Sequence, residues 1–191
     1  IFNFLFLLMI PLLVNLIIFS SGIAIGVLKQ YVEYLLIRSR GREVGNVIYI
    51  DSDSPNASAL TFVNKIIIYG ELGRISKFAF LHESYHLKQK KFALLQLVIM
   101  AFFASLLPLS LLFLVAMYFA YIFTNWKIEQ DADLYAFKNG AVYEARYSRP
   151  RSRLVRIIAW ILDSHPPDYI RISEEYRKKN VYYLFLKDVI S

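Results

Sequence analysis

Cysteine is absent from this 191-residue chain, which excludes a disulfide framework and a thiolate metal site and agrees with a reducing compartment. Histidine is scarce: there are three, and two of them, His82 and His86, stand four residues apart. Charge is missing altogether from two long stretches. Residues 1–28 hold only Asn3, Asn15, Ser20 and Ser21 as strongly polar interruptions, and residues 92–123 hold only Gln96, Ser105 and Ser110. Both exceed the roughly 18 apolar residues that mark a membrane-spanning segment. With 57% hydrophobic residues and a mean hydropathy of +0.43, the chain lies above the roughly 45–50% apolar share of soluble domains. An integral membrane protein is predicted. The first stretch also lacks a basic n-region and a small-residue cleavage pattern before Lys29, so it reads as a span and not as a signal peptide. Because the chain opens at Ile1, already inside apolar sequence, one earlier span or part of one is expected to precede it. Internal repeats and low-complexity tracts are absent from the sequence.

What charge there is falls on the segments between. Residues 29–91 hold ten Lys/Arg against six acids, and residues 124–191 hold twelve against nine. Arg38, Arg40, Arg42, the Lys88–Lys91 cluster and the stretch from Arg146 to Arg156 lie next to apolar sequence. The positive-inside rule assigns both segments to the cytoplasm, giving a multi-pass protein of the cell membrane. A net charge of +7 also suits nucleic acid, but beside two membrane segments an anionic lipid surface is the expected partner.

The two histidines belong to His82-Glu83-Ser84-Tyr85-His86, an HExxH motif. On a helix, residues four apart project within about 40° of each other, so both imidazoles reach one metal ion. Glu83 lies about 60° around from His86, placed to take a proton from water without being a ligand. Glu129, in Glu129-Gln130-Asp131-Ala132-Asp133, supplies a third ligand from a second helix, with Asp133 on the same face. Three protein ligands and one open position are the arrangement of a catalytic zinc site. Read blandly, the motif is a surface helix with incidental histidines and the acids are an ordinary solvated face. The second account leaves unexplained why those acids come directly after an apolar stretch.

A shared metal constrains topology. As one straight helix, 92–123 would be about 48 Å long and would deliver Glu129 to the wrong side of the bilayer. Pro108 at its midpoint predicts a turn and a hairpin of two short or partly inserted helices, each about 22 Å long. Trp126, with Tyr118 and Tyr121, is expected in an interfacial belt, and Asn125-Trp126-Lys127 is expected to open a helix ending near Asn139, stopped by Gly140. Asn46–Ile50 reads as a short strand, 51–56 as a turn cluster and Leu60–Tyr69 as a second strand. The HExxH helix is expected to run on through Leu87-Lys88-Gln89-Lys90-Lys91. Arg153–Leu162, apolar with spaced arginines, has the pattern of a helix near lipid, broken by Asp163-Ser164-His165-Pro166-Pro167. His165 there reads by default as a loop residue.

Together these residues resemble the HtpX and CAAX prenyl-protease family of membrane zinc metallopeptidases. Four blocks carry the likeness in the same order: Pro55-Asn56-Ala57, His82-Glu83-Ser84-Tyr85-His86, the Glu129-to-Asp133 block, and Ser164-His165-Pro166-Pro167 followed by Arg171-Ile172. They span residues 55–172, about 60% of the chain. The resemblance implies one Zn2+ held by His82, His86 and Glu129, with Glu83 as general base and proton shuttle. It implies that Asp133 orients a ligand or pairs with Arg171, and that His165 and Asn56 contact substrate or oxyanion. It also implies polypeptide substrates, cut on the cytoplasmic side in membrane-protein quality control. The Lys-Gln-Lys-Lys ending of the motif helix and the absence of an acidic start before it depart from the family pattern, away from the ligands.

The expected fold is thus integral membrane and mainly α with a small β-sheet, its gluzincin-like HExxH and ExxxD helices flanking a membrane hairpin. Residues 1–28 form a span, 29–91 the first half of a catalytic domain, 92–123 the hairpin, and 124–191 the second half. Three rivals compete with a zinc endopeptidase. A BlaR-type sensor peptidase fits the His-Pro-Pro ending poorly. A silent membrane scaffold has no use for Glu83. A nucleic-acid binder using Arg146–Arg156 lacks any recognisable motif.

Overall fold

The computed structural model describes residues 2–144 and 148–191, so Ile1 and Arg146 lie outside the described residues. The protein is mainly α, with one small mixed sheet. Helix α1 (Phe2–Arg38) is followed by strands β1 (Arg42–Val44), β2 (Val47–Ile50), β3 (Asn56–Leu60) and β4 (Lys65–Tyr69). Helices α2 (Lys77–His86), α3 (Lys90–Ser105), α4 (Leu112–Lys138), α5 (Arg153–Leu162), α6 (Asp168–Arg171) and α7 (Val181–Ile190) complete the chain.

Among the described residues, α1 alone is long and apolar enough to cross a membrane, from Pro11 to Arg38, and a single span and a signal sequence share those properties. By this measure the second apolar stretch supplies no further full span among the described residues, and the expectation of a multi-pass protein gives way to one candidate span. It is divided between the sixteen-residue α3 and the first part of α4, joined by a turn at 106–111 that contains Pro108. Helix α1 packs on α3 through two glycines one turn apart. A Cβ at Gly22 would lie 3.2 Å from the Ala101 Cβ, and one at Gly26 would lie 2.5 Å from Leu97. Small residues at this spacing let helix backbones approach closely, as membrane helices commonly do.

The sheet order is β1-β2-β4-β3, with β2 and β4 parallel and the outer pairs antiparallel. Ile66, Ile67 and Ile68 of the central β4 are buried, as β-branched residues on a covered strand should be. The run Leu60–Tyr69 is not one strand. It breaks at 61–64, where Asn64 takes φ 60°, a left-handed conformation that asparagine tolerates better than most residues. Asn56, which closes a turn cluster by its neighbours but belongs to an edge-strand motif by the resemblance, opens β3, an edge strand packed against α2.

Two helix boundaries differ from expectation. Helix α2 ends at His86, and the chain turns through 87–89 before α3 begins. No helix starts at Asn125, because α4 runs unbroken from Leu112 to Lys138 and buries Asn125 and Trp126. Trp126 is therefore a core residue and not part of an interfacial belt. Its ring lies 4.8 Å from Trp160 and 5.0 Å from Phe185, within a cluster that includes Ile122, Ile170, Tyr176, Val181 and Leu184. Gly140, at φ 71°, ends the helix.

Candidate metal centre

Helices α2 and α4 pack side by side, and that packing brings the motif to Glu129. Helix α2 starts where the Ser76 side chain accepts a hydrogen bond from the Ala79 amide at 3.0 Å, a cap that stands in for the missing acidic first turn. Its buried face carries His82, and His86 follows one turn on. The two Nε2 atoms face each other at 3.0 Å. Glu129 Oε2 lies 3.0 Å from His82 Nε2, and Oε1 lies 3.7 Å from His86 Nε2.

The outer sides of both rings are occupied. His82 Nδ1 donates to Asp133 Oδ1 at 2.8 Å, and His86 Nδ1 donates to Gln89 Oε1 at 2.7 Å. An Nδ1–H held by an acceptor directs Nε2 at the shared space, which is how acceptors behind a site orient a histidine ligand. Glu129 Oε2 is buried between His82 Nε2 and His165 Nε2, at 3.0 and 3.1 Å. Ligand atoms about 2.0–2.1 Å from a tetrahedral zinc are about 3.3 Å apart; the two Nε2 atoms stand 3.0 Å apart, and the carboxylate meets them with different oxygens, Oε2 at 3.0 Å from His82 and Oε1 at 3.7 Å from His86. His82, His86 and Glu129 thus form a buried group that fits a metal ion.

Asp133 organises the layer behind. It is fully buried. Its Oδ2 accepts from Arg171 Nε at 2.7 Å and from the Tyr176 hydroxyl at 2.9 Å, and Oδ1 accepts from Arg171 Nη2 at 2.6 Å as well as from His82. Burial alone raises the Asp133 carboxyl, but hydrogen bonds from His82 and Arg171 outweigh it and hold it below its ordinary range. Burial likewise disfavours the His82 imidazolium, yet Asp133 and Glu129 overcome this and lift it to about 9. Glu129 is raised by burial and drawn well below its usual value by His165, His82 and His86.

Glu83 differs from both acids. Burial pushes its carboxyl up against the opposing pull of His82 and His86, and among the described residues it has no hydrogen-bond partner. A carboxylate so raised holds a proton more firmly, as a general base in this setting requires. His165 comes from the loop after α5, with Nε2 3.1 Å from Glu129 Oε2. Burial lowers it, but Asp163 and Glu129 bring it up to about 10, so it presents a cation beside the ligands. Asn125 Nδ2 holds that loop through the Ser164 carbonyl at 2.6 Å. A cavity of about 640 Å³ opens next to His165, lined also by Ser76, Phe78, Tyr143, Asp163 and Arg171.

The fold thus gathers His82, Glu83, His86, Glu129, Asp133, His165 and Arg171. Asn56 stands apart, its Oδ1 accepting from the Ala57 amide at 2.9 Å on the edge strand. Gln89, Asn125, Tyr143 and Tyr176 were not anticipated from the sequence. Gln89 is 97% covered; its amide joins His86 to the Ile128 carbonyl at 2.9 Å, next to Glu129. A polar residue three places after the second motif histidine was the available signal for it. No family model, no curated protein and no solved structure matches this chain.

Proposed function

We propose that this chain is a membrane-anchored zinc endopeptidase of the HtpX and CAAX prenyl-protease type, acting on polypeptides at the cytoplasmic face. One observation carries the reading. Both motif histidines commit Nδ1 to built acceptors, and their Nε2 atoms converge on the buried Glu129 carboxylate. A scaffold would have no need to gather three such groups at one point, nor to set the raised Glu83 carboxyl beside them.

Zinc held there supplies Lewis acidity to a water and to the scissile carbonyl. Glu83 takes the proton released by the attacking water and passes it to the leaving amine. His165, cationic and at the mouth of the adjoining cavity, donates a hydrogen bond where negative charge develops on the carbonyl oxygen. Asp133 keeps His82 in the required tautomer, and Arg171 and Tyr176 keep Asp133 in place. The edge strand opened by Asn56 offers main-chain groups to an extended substrate. Helix α1 anchors the chain, the turn at 106–111 lies in the bilayer as the tip of a partly inserted hairpin, and the basic segments remain on the inner side. Nucleic acid has no part in this function.

Zinc per chain, measured on detergent-purified protein, tests the reading together with casein cleavage on the same samples. The parent is expected to carry about one zinc and to cleave. Glu129→Ala is expected to lose the metal, and Glu83→Gln to keep it while losing cleavage about 10²–10⁴-fold. Retention of zinc and activity in Glu129→Ala would overturn the ligand set, and a parent without zinc after loading would overturn the enzyme reading.

A further inference from the structure

Helix α5 carries an apolar face that the fold leaves open. Leu154, Val155, Ile158 and Leu162 fall within about 100° of arc on a helix, and all four are exposed, Leu162 by 75%. The opposite face is committed inward. Trp160 is fully buried against Trp126, and Arg156 donates to the carbonyls of Asp188, Pro150 and Arg151.

Two observations say what covers the outer face. The first is depth. The Tyr118 hydroxyl donates to the Ile161 carbonyl at 2.6 Å, tying the C-terminal end of α5 to the uncharged arm of α4, where Leu114 and Val115 are also exposed. That tie lies eleven residues before Glu129, about 16 Å along the helix axis. The second is charge. Arg151 and Arg153 are exposed at the opposite end of α5, and neither has an acidic partner among the described residues.

We propose that α5 is an interfacial helix seated in an anionic bilayer surface. Its C-terminal end sinks beside α4 to the level of the acyl chains, and Arg151 and Arg153 lie among the phosphate headgroups. This rests on the reading that residues 92–123 enter the membrane.

The absence of cysteine makes a direct test available. Leu162→Cys, Leu109→Cys at the hairpin turn and Asp53→Cys in the loop before β3 are each labelled with nitrobenzoxadiazole. Each full-length protein is reconstituted into phosphatidylcholine–phosphatidylglycerol vesicles. The probe at 162 is expected to be quenched by lipids bearing a nitroxide on the acyl chain, and to be shielded from aqueous iodide at least fivefold relative to the probe at 53. Pairing Leu162→Cys with Arg151→Gln and Arg153→Gln is expected to reduce that lipid quenching. Equal iodide quenching at 162 and 53 would overturn the proposal. Shielding from iodide without lipid quenching would overturn it too, because protein would then cover the face. Unchanged lipid quenching after loss of both arginines would remove the anionic surface from it. Lipid quenching at 109 but not at 162 sinks α5 alone, whereas its absence at both sinks the inserted hairpin as well.

Discussion

Asp133→Asn isolates the layer behind the ligands. The substitution keeps the shape of the side chain but turns one carboxylate oxygen into an amide donor facing two existing donors. Whichever oxygen is replaced, Arg171 loses half of its fork, because Nε and Nη2 use different oxygens. Either His82 or Tyr176 loses its acceptor with it. Leaving a buried cation without its counter-charge costs about 3–5 kcal/mol, a large share of the 5–15 kcal/mol that holds a typical domain together. For a chain of this size that is a fall of about 6–20 °C in unfolding midpoint. Zinc affinity, read by competition with a fluorescent chelator, is expected to drop about 10–100-fold as His82 loses its anionic partner. The double variant Asp133→Asn/Arg171→Met separates the two effects. Removing the stranded cation recovers part of the midpoint, but zinc affinity stays low because His82 still faces an amide. A midpoint within about 2 °C of the parent together with parental zinc affinity would refute this account of Asp133.

Three further outcomes follow from the same geometry. Gln89→Leu removes the acceptor of His86 and the link to Ile128, so zinc affinity is expected to fall about 10–100-fold while the α-helical circular dichroism signal is kept; an unchanged affinity would show that the bridge is incidental. His82 sits above its ordinary value, at about 9, so zinc must displace its proton: affinity is expected to rise with pH up to about 9 and then level off, with proton release visible as buffer-dependent heats in calorimetry. By the same sign, the stabilisation from the His82 pair in chelated protein is complete below about 6.5 and is lost as pH climbs through about 9, a loss that Asp133→Asn should blunt in a pH series of unfolding midpoints. Gly22→Ile forces a branched side chain onto Ala101, and it is expected to separate α1 from α3, measured as loss of a disulfide between cysteines introduced at 22-flanking and 101-flanking positions.

The meeting of His82 and His86 was legible because a helix makes their geometry local: residues four apart must share a face wherever the helix lies. The acids on α4 were legible for the same reason. Gln89 was not, because its role depends on the chain turning at 87–89 and carrying the amide to a carbonyl almost forty residues away. Tyr143 and Tyr176 reach Asp133 and Arg171 only through tertiary folding. Trp126 was misassigned because a tryptophan after an apolar stretch looks the same whether it meets headgroups or Trp160. Asn125 looked like a helix start because polarity follows apolarity there, whereas its amide is spent on the Ser164 carbonyl inside the fold. Leu60–Tyr69 hid a turn because one uninterrupted apolar run gives no period from which to read a reversal. The Gly22 and Gly26 pair also went unread, although small residues four apart in an apolar run were the available signal for the packing of α1 on α3.

The continuity of α4 has a mechanical consequence. Without proline or glycine between Leu112 and Lys138, the helix has no hinge, and Glu129 lies about 26 Å from its first turn. A tilt of about 10° at the start of α4 carries Glu129 about 4.5 Å sideways relative to that end, more than twenty times the ~0.2 Å within which a metal–ligand distance must hold. Helix α2, bearing the other two ligands, must move with it or lose register. The candidate metal centre thus sits at the end of a stiff arm that begins at the turn 106–111, and any displacement of that turn is carried to its geometry.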